Sequence, residues 1–222
     1  MRFGSVFNFL AAGVFAALLV VTAWIAQKEI AIATGAKGWD TRYILGQNGA
    51  LPMGFSLDTD YAVIDACLRV TTSAEGLFLP STARGTLVAA CQSLAGRITD
   101  SSPLNSYGWV VQARFAAALG QDSAVEQALR RSYATGPTEQ WLAEQRVPVA
   151  EAALAGLSPA ARAEHRQDLA ILVQSQRGIA AIAQRYVRDE GFRARITAVV
   201  EALPAADQAR FVQVLRAAVR QR

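Results

Sequence analysis

Two prolines 34 residues apart, Pro103 and Pro137, frame a pair of amphipathic helices, and that pair limits the folds open to the chain. Turn-forming residues stand just before each proline, Ser101-Ser102 and Thr135-Gly136. The first helix carries Leu104, Tyr107, Val111, Phe115 and Leu119 on one side, after which Gly120 offers a C′ glycine and Asp122 an N-cap. The second helix places Val125, Ala128, Leu129, Ser132 and Tyr133 at the i, i+3, i+4, i+7, i+8 spacing of a core-facing stripe. Neither helix buries its stripe alone, so the pair needs helical neighbours on both sides. With alanine-rich composition and only seven prolines in 222 residues, the expected fold class is all-α.

Particular residues sharpen this reading. Trp109 stands near the start of the first helix, Ala113 is small four residues on, and Gly120 closes that helix. Leu129 is large and Ser132 small on the second helix, and Pro137 ends the unit. In these positions the stretch resembles a tetratricopeptide repeat. The resemblance covers one repeat, residues 103–137; Val125 stands where the family usually has Ala, and Ala116 where it often has an aromatic. An ordinary helical hairpin of another all-α domain has the same periodicity. Counting back one repeat from Pro103 puts Cys91, Ala95 and Ile98 at the packing positions of a second helix, with Pro80 breaking the segment before it.

Residues 6–26 are apolar except for Asn8 and Thr22. As a helix, 21 residues reach ~31 Å, enough for a bilayer core of ~30 Å. Trp24 near the far end suits an interfacial anchor. Residues 6–26 therefore read as a single transmembrane helix in contact with the lipid bilayer. A cleaved leader is the rival, with Arg2 as its charged start and Val21-Thr22-Ala23 as a small-x-small site, although Trp24 follows directly. Lys28, Lys37 and Arg42 after the segment outnumber Arg2 before it, which by itself favours a cytoplasmic domain.

The cysteines argue the other way. A helix over about Asp60 to Thr72 carries Cys67 with Tyr61, Ile64, Leu68 and Thr71; a second, capped by Ser81 or Thr82, carries Cys91 with Leu87, Leu94, Ala95 and Ile98. The two thiols face each other across one hairpin. In an oxidising compartment they make a disulfide that closes a loop of about 25 residues and contributes roughly 3 kcal/mol in the chain-entropy model. Two buried thiols are the alternative. Weighing the cysteines above the charge bias puts the domain in the periplasm, on the plasma (inner) membrane.

The remaining chain divides by its breakers. Residues 1–5 form a short tail. Residues 27–56 connect anchor to domain, a helical extension followed by a tether in which Gly46, Gly49, Pro52 and Gly54 interrupt any periodicity. Residues 57–158 hold the repeat-like domain. Residues 159–222 form an arginine-rich helical segment packed on it. Pro148 predicts a kink or break near Val147, and Ser158-Pro159 predicts a helix start. Three helices are expected from there, the first running through Leu169, Leu172 and Val173 past a bend at Gly178 to Ile182 and Tyr186.

From Pro159 onward there are 11 Arg and 6 acidic residues. They are spread through helices without interleaved exposed aromatics, which argues for a solvated face and against nucleic acid. Catalytic chemistry has no signature: the chain lacks GxSxG, P-loop, GxGxxG and HExxH patterns. Without a CxxC and with one His, His165, a metal site is not expected, nor is any cofactor. His165, one turn before Leu169, reads as a surface or half-buried residue. The expectation is a non-catalytic scaffold that binds another envelope protein, with Trp109, Tyr133 and Trp141 as the candidate interaction surface. An accessory ligand- or glycan-handling subunit is the second class. Indole rings lining a pocket would favour that class, and rings packed inside the scaffold. Deleting residues 1–26 is expected to release a soluble helical protein with the circular dichroism of a folded domain; an aggregated product would mean that the apolar segment packs into the core.

Overall fold

The computed structural model describes residues 3–48 and 50–220, with side chains from Leu10 onward. Arg2 and Gly49, which entered the reading above, lie outside the described residues, as do the side chains of residues 6–9. Among the described residues there are twelve helices and no strand, so the fold is all-α. The chain forms two compact units, Met1–Leu94 and Ala95–Arg222.

The first unit is built on α1 (Phe3–Ala36), α2 (Thr41–Gly46), α3 (Leu57–Thr72), α4 (Ala74–Leu77) and the start of α5 (Ser81–Ser101). Within α1, Leu10–Ala36 is long and apolar enough to cross a membrane, with a mean hydropathy of 2.0. Leu10, Val14, Phe15, Leu18, Val20 and Trp24 all stand exposed along it. A contiguous apolar surface of that kind is not stable in water and marks a membrane or partner contact; a secretory leader has the same composition.

The helix continues past the apolar residues 6–26. Its last turns pack on α3, and Glu29 accepts hydrogen bonds from Phe55 N (2.5 Å), Ser56 N (3.2 Å) and Thr59 Oγ1 (2.6 Å). A carboxylate is thereby held against the first turn of α3, where free N–H groups and the macrodipole favour negative charge. At the other end of the contact, the Arg69 guanidinium donates to Ala36 O (2.9 Å), the last carbonyl of α1, and to Trp39 O (3.1 Å) in the turn that follows. The expected tether is therefore packed structure: α2 lies within it, and Trp39, Ile44 and Leu51 are buried. Glycine and proline remove periodicity, but three widely spaced apolar side chains still find the core one at a time. Ser56 caps α3 through Thr59 N, so the helix starts at Leu57, three residues ahead of the expected Asp60. Cys67 on α3 and Cys91 on α5 form a disulfide, both fully buried, with Cα atoms 5.7 Å apart.

The second unit follows with the end of α5 and then α6 (Ser106–Ala118), α7 (Asp122–Thr135), α8 (Gln140–Ala152), α9 (Pro159–Val173), α10 (Gln176–Arg188), α11 (Glu190–Glu201) and α12 (Ala205–Arg220). Sequential helices pair, and alternate helices stack: α6 on α8, α8 on α10, α10 on α12, and on the other layer α7 on α9 and α9 on α11. Leu169, Leu172, Ile179, Phe192 and Ile196 form the centre of its core. Gly120 closes α6 at φ +70, the left-handed conformation that L residues adopt only at a cost of ~1 kcal/mol or more.

Several local expectations are corrected here. The N-cap of α7 is Gln121, which makes no side-chain cap bond; Asp122 sits inside the first turn, where its charge still suits the helix dipole. α8 continues through Pro148. Leu142, Ala143 and Val147 before it and Val149 and Ala150 after it are all buried, so packing on both sides holds the turn that the missing N–H weakens. The long helix expected from Leu169 is two, making four helices beyond Pro159. Ser175 caps α10 by accepting from Gly178 N, and a Cβ on Gly178 would lie 2.3 Å from Leu172 O. That close approach of backbone to backbone is what the glycine permits.

Asp60 makes the first unit pH-sensitive. It is buried on α3, and its Oδ1 has no hydrogen-bond partner. Burial, and next the Glu29 charge, push its carboxyl from the ordinary 3.8 up to about 6. The folded state then holds the proton more tightly than the unfolded chain, so this contribution to stability is complete below the ordinary value and lost as pH rises through about 6. Asp60→Asn is expected to melt higher than the parent above pH 6, with the two melting curves converging towards pH 4; a gap independent of pH would refute this account.

Candidate interaction site

Four side-chain ties between the stacked helices share one offset, beside others of 31 and 33 residues. Tyr107 packs on Trp141 with ring centroids 5.5 Å apart. Arg130 meets Glu164 at 3.5 Å, Tyr133 donates to Gln167, and Arg185 meets Glu151 at 3.5 Å. Each of these four pairs is 34 residues apart, the spacing of Pro103 and Pro137. One tie crosses α6 to α8, two cross α7 to α9 and one crosses α8 to α10, so the offset recurs along the stack in both layers.

The residues chosen from sequence fall into different roles. Ala113 and Ser132 are fully buried and Leu129 is buried, filling the seam between α6 and α7. Pro137 is exposed in the loop before α8. Trp109 is half-buried and donates from its indole nitrogen to Pro103 O at 2.8 Å. Trp141 is 37% exposed and donates to Glu139 Oε2 at 2.6 Å. Tyr133 lies instead under the Arg146 guanidinium, 5.5 Å from ring centroid to Cζ. The three aromatics thus engage different partners rather than one common patch. Neither Trp109 nor Trp141 lines the cavities of about 730, 670 and 540 Å³ found in this unit.

What the sequence reading missed is the polar interior. Arg146 on α8 is 1% exposed and grips Asp168 on α9 with two parallel bonds, Nε to Oδ2 at 2.8 Å and Nη2 to Oδ1 at 2.6 Å. Its remaining nitrogen donates to Gly136 O at 3.0 Å, the carbonyl that ends α7. Ser132 Oγ donates in turn to Ser106 O at 2.8 Å, joining α7 to α6. Burial and the charges of Asp168 and Glu164 push the Tyr133 hydroxyl above the usual tyrosine range.

A second buried centre sits one turn further on. Glu151, near the end of α8, meets His165 Nε2 at 2.7 Å and Arg195 Nε at 2.9 Å, with Arg185 beside it. Burial raises this carboxyl, but the hydrogen bonds from His165 and Arg195 outweigh it and hold Glu151 below the usual carboxylate range. His165 is therefore buried, not the surface or half-buried residue expected, because a carboxylate 14 residues away receives it across the α8–α9 turn. Glu126 on α7 accepts from Ser158 N (2.8 Å) and Ser158 Oγ (2.6 Å), which lowers its carboxyl as well. Among the described residues no group of three or more His, Cys, Asp or Glu is placed to hold a metal ion.

Among the described residues these features define a class: an all-α fold with one helix of membrane-spanning length, a disulfide, and a stack of helix pairs joined through a buried polar interior. Comparison with protein families, curated proteins and solved structures finds no match to the chain.

The Arg146–Asp168 pair sets the stability of the stack. Removing one partner of a buried pair leaves an uncompensated charge, so Asp168→Ala is expected to cost about 3–5 kcal/mol in urea unfolding. Arg130→Ala, which breaks an exposed pair at the same helix layer, is expected to cost less than about 1 kcal/mol. Equal losses in the two variants would remove the central role given to Arg146.

Proposed function

We propose that this protein is a single-pass, membrane-anchored scaffold of the bacterial-type cell envelope, in which a tetratricopeptide-like helical stack binds another envelope protein. It works without catalysis, cofactor or nucleic acid. The observation that carries this reading is the 34-residue ladder of Tyr107–Trp141, Arg130–Glu164, Tyr133–Gln167 and Glu151–Arg185. An offset that recurs between stacked helix pairs is a feature of repeat architectures, and such stacks present extended surfaces for other chains. Trp109, Ala113, Gly120, Leu129, Ser132 and Pro137 supply the family-like residues in the first pair.

The setting rests on two further observations. The apolar surface of α1 suits a bilayer, and the continuity of α1 into the Glu29 contact supports an anchor that is retained. The Cys67–Cys91 disulfide supports a periplasmic domain on the plasma membrane, since such bonds persist in oxidising compartments. Trp141, exposed on α8 beside Tyr107, is the favoured point of partner contact.

Two measurements on the full chain in its membrane test this. Without reduction, both cysteines are expected to resist thiol reagents even after denaturation, and reduction is expected to lower stability by about 2–4 kcal/mol; free thiols would move the domain to the cytoplasmic side. A photo-cross-linker at Trp141 is expected to yield one discrete protein adduct that is absent with the cross-linker at Arg131 on α7. The same adducts at both positions, or none, would argue against a specific binding face.

A further inference from the structure

We propose that the cavity between α9 and α11 binds a single-chain aliphatic carboxylate, a fatty-acid-like amphiphile, independently of the protein partner. The cavity holds about 540 Å³, within the range of small-molecule sites. Its lining joins two chemistries. Arg162, Arg166 and Arg195 bring positive charge to it, and no acidic residue lines it. Leu154, Val199 and Leu203, with alanines between them, supply an apolar wall.

Two of the three charges are left by the fold without a carboxylate partner among the described residues. Arg195 is committed to Glu151, and Arg162 donates to Ala155 O at 3.0 Å. Arg162 is exposed and has no carboxylate partner, and exposed Arg166 has no bond to any described residue. His165 adds a further polar atom. Its Nε2 is bonded to Glu151, while Nδ1 is buried without a hydrogen-bond partner, in a residue only 4% exposed that forms part of the cavity wall.

Shape selects among anions. Along α9 the lining runs from Arg162 to Ala170, about 12 Å at the helical rise, which suits one extended alkyl chain and is short for several turns of a docked helix. A carboxylate head at Arg162 and Arg166 gains charge-assisted hydrogen bonds. Its tail along Val199, Ala202 and Leu203 leaves water for apolar surface. A free inorganic anion would gain the first without the second, and a neutral alkane the reverse.

The test uses the full chain reconstituted in lipid nanodiscs and lauric acid carrying a photoreactive diazirine, with adducts mapped by peptide mass spectrometry. Adducts are expected on residues 198–203, competed by excess laurate but not by lauryl alcohol. Arg162→Ala together with Arg166→Ala is expected to cut labelling there by about tenfold or more, the equivalent of one hydrogen bond to a charged group. Labelling of α1, which reports only partition into the bilayer, is expected to stay unchanged. Ala198→Phe, a change at an exposed position that fills the cavity mouth, is expected to abolish the cavity adduct while leaving the Trp141 cross-link to protein intact. Adducts confined to α1, equal competition by lauryl alcohol, or cavity labelling indifferent to both variants would each overturn the proposal. So would displacement of the probe only by the cross-linked protein partner, which would make the cavity part of the protein-binding face.

Discussion

A guanidinium buried among three helices holds the second unit together. Arg146 sits on α8, reaches the carboxylate of Asp168 on α9, and meets the carbonyl of Gly136, the C-cap of α7, so one side chain fixes two helix junctions. The pair is costly to bury and is tolerated only because almost every polar atom is met: two bonds to the carboxylate, one to Gly136, and a Tyr133 ring stacked beneath. Exchanging the pair for apolar residues would keep helix packing yet leave the α7 terminus unclosed. Register follows from this, since sliding α9 by one residue along α8 would turn Asp168 away from Arg146. The 34-residue ties of the stack then inherit an alignment set by this pair.

Much of the helical framework was legible in the sequence because it depends on local signals. Gly120 and Ser158 acted where capping rules put them, and the 3.6-residue stripe of α7 reached the core. The cysteines were legible because both lay on helix faces already assigned to the interior. Elements that depend on tertiary packing were harder to read. Pro148 argued for a break, but a helix buried on both sides of the proline stays whole. Ser175 was read as helix interior, since nothing local says that Gly178 must press against the backbone of Leu172.

The polar interior left a signal that periodicity alone passes over. Arg146 occupies a stripe position between Leu142 and Ala150, and Asp168 one beside Leu169 and Leu172. A charged residue in register with a buried stripe calls for a buried partner of opposite sign. Glu151 and His165 are the same case, a carboxylate and an imidazole on the inner faces of consecutive helices. Which arginine meets which acid depends on the packing of α8, α9, α10 and α11, and no local spacing encodes that. The aromatic residues illustrate the converse: Trp109, Tyr133 and Trp141 share a type but engage different partners.

The Glu29 contact changes what the apolar helix is. α1 is a structural beam of the first unit as well as a hydrophobic segment, because its last turns are bonded to the start of α3 at one side and to Arg69 at the other. In a bilayer, a helix whose apolar length exceeds the hydrocarbon thickness relieves the mismatch by tilting. A flexible linker would absorb that tilt; a clamped helix passes it on. The first unit would then lean with lipid thickness, and the angle at which its disulfide-bonded hairpin meets the membrane surface would report the lipid composition beneath it.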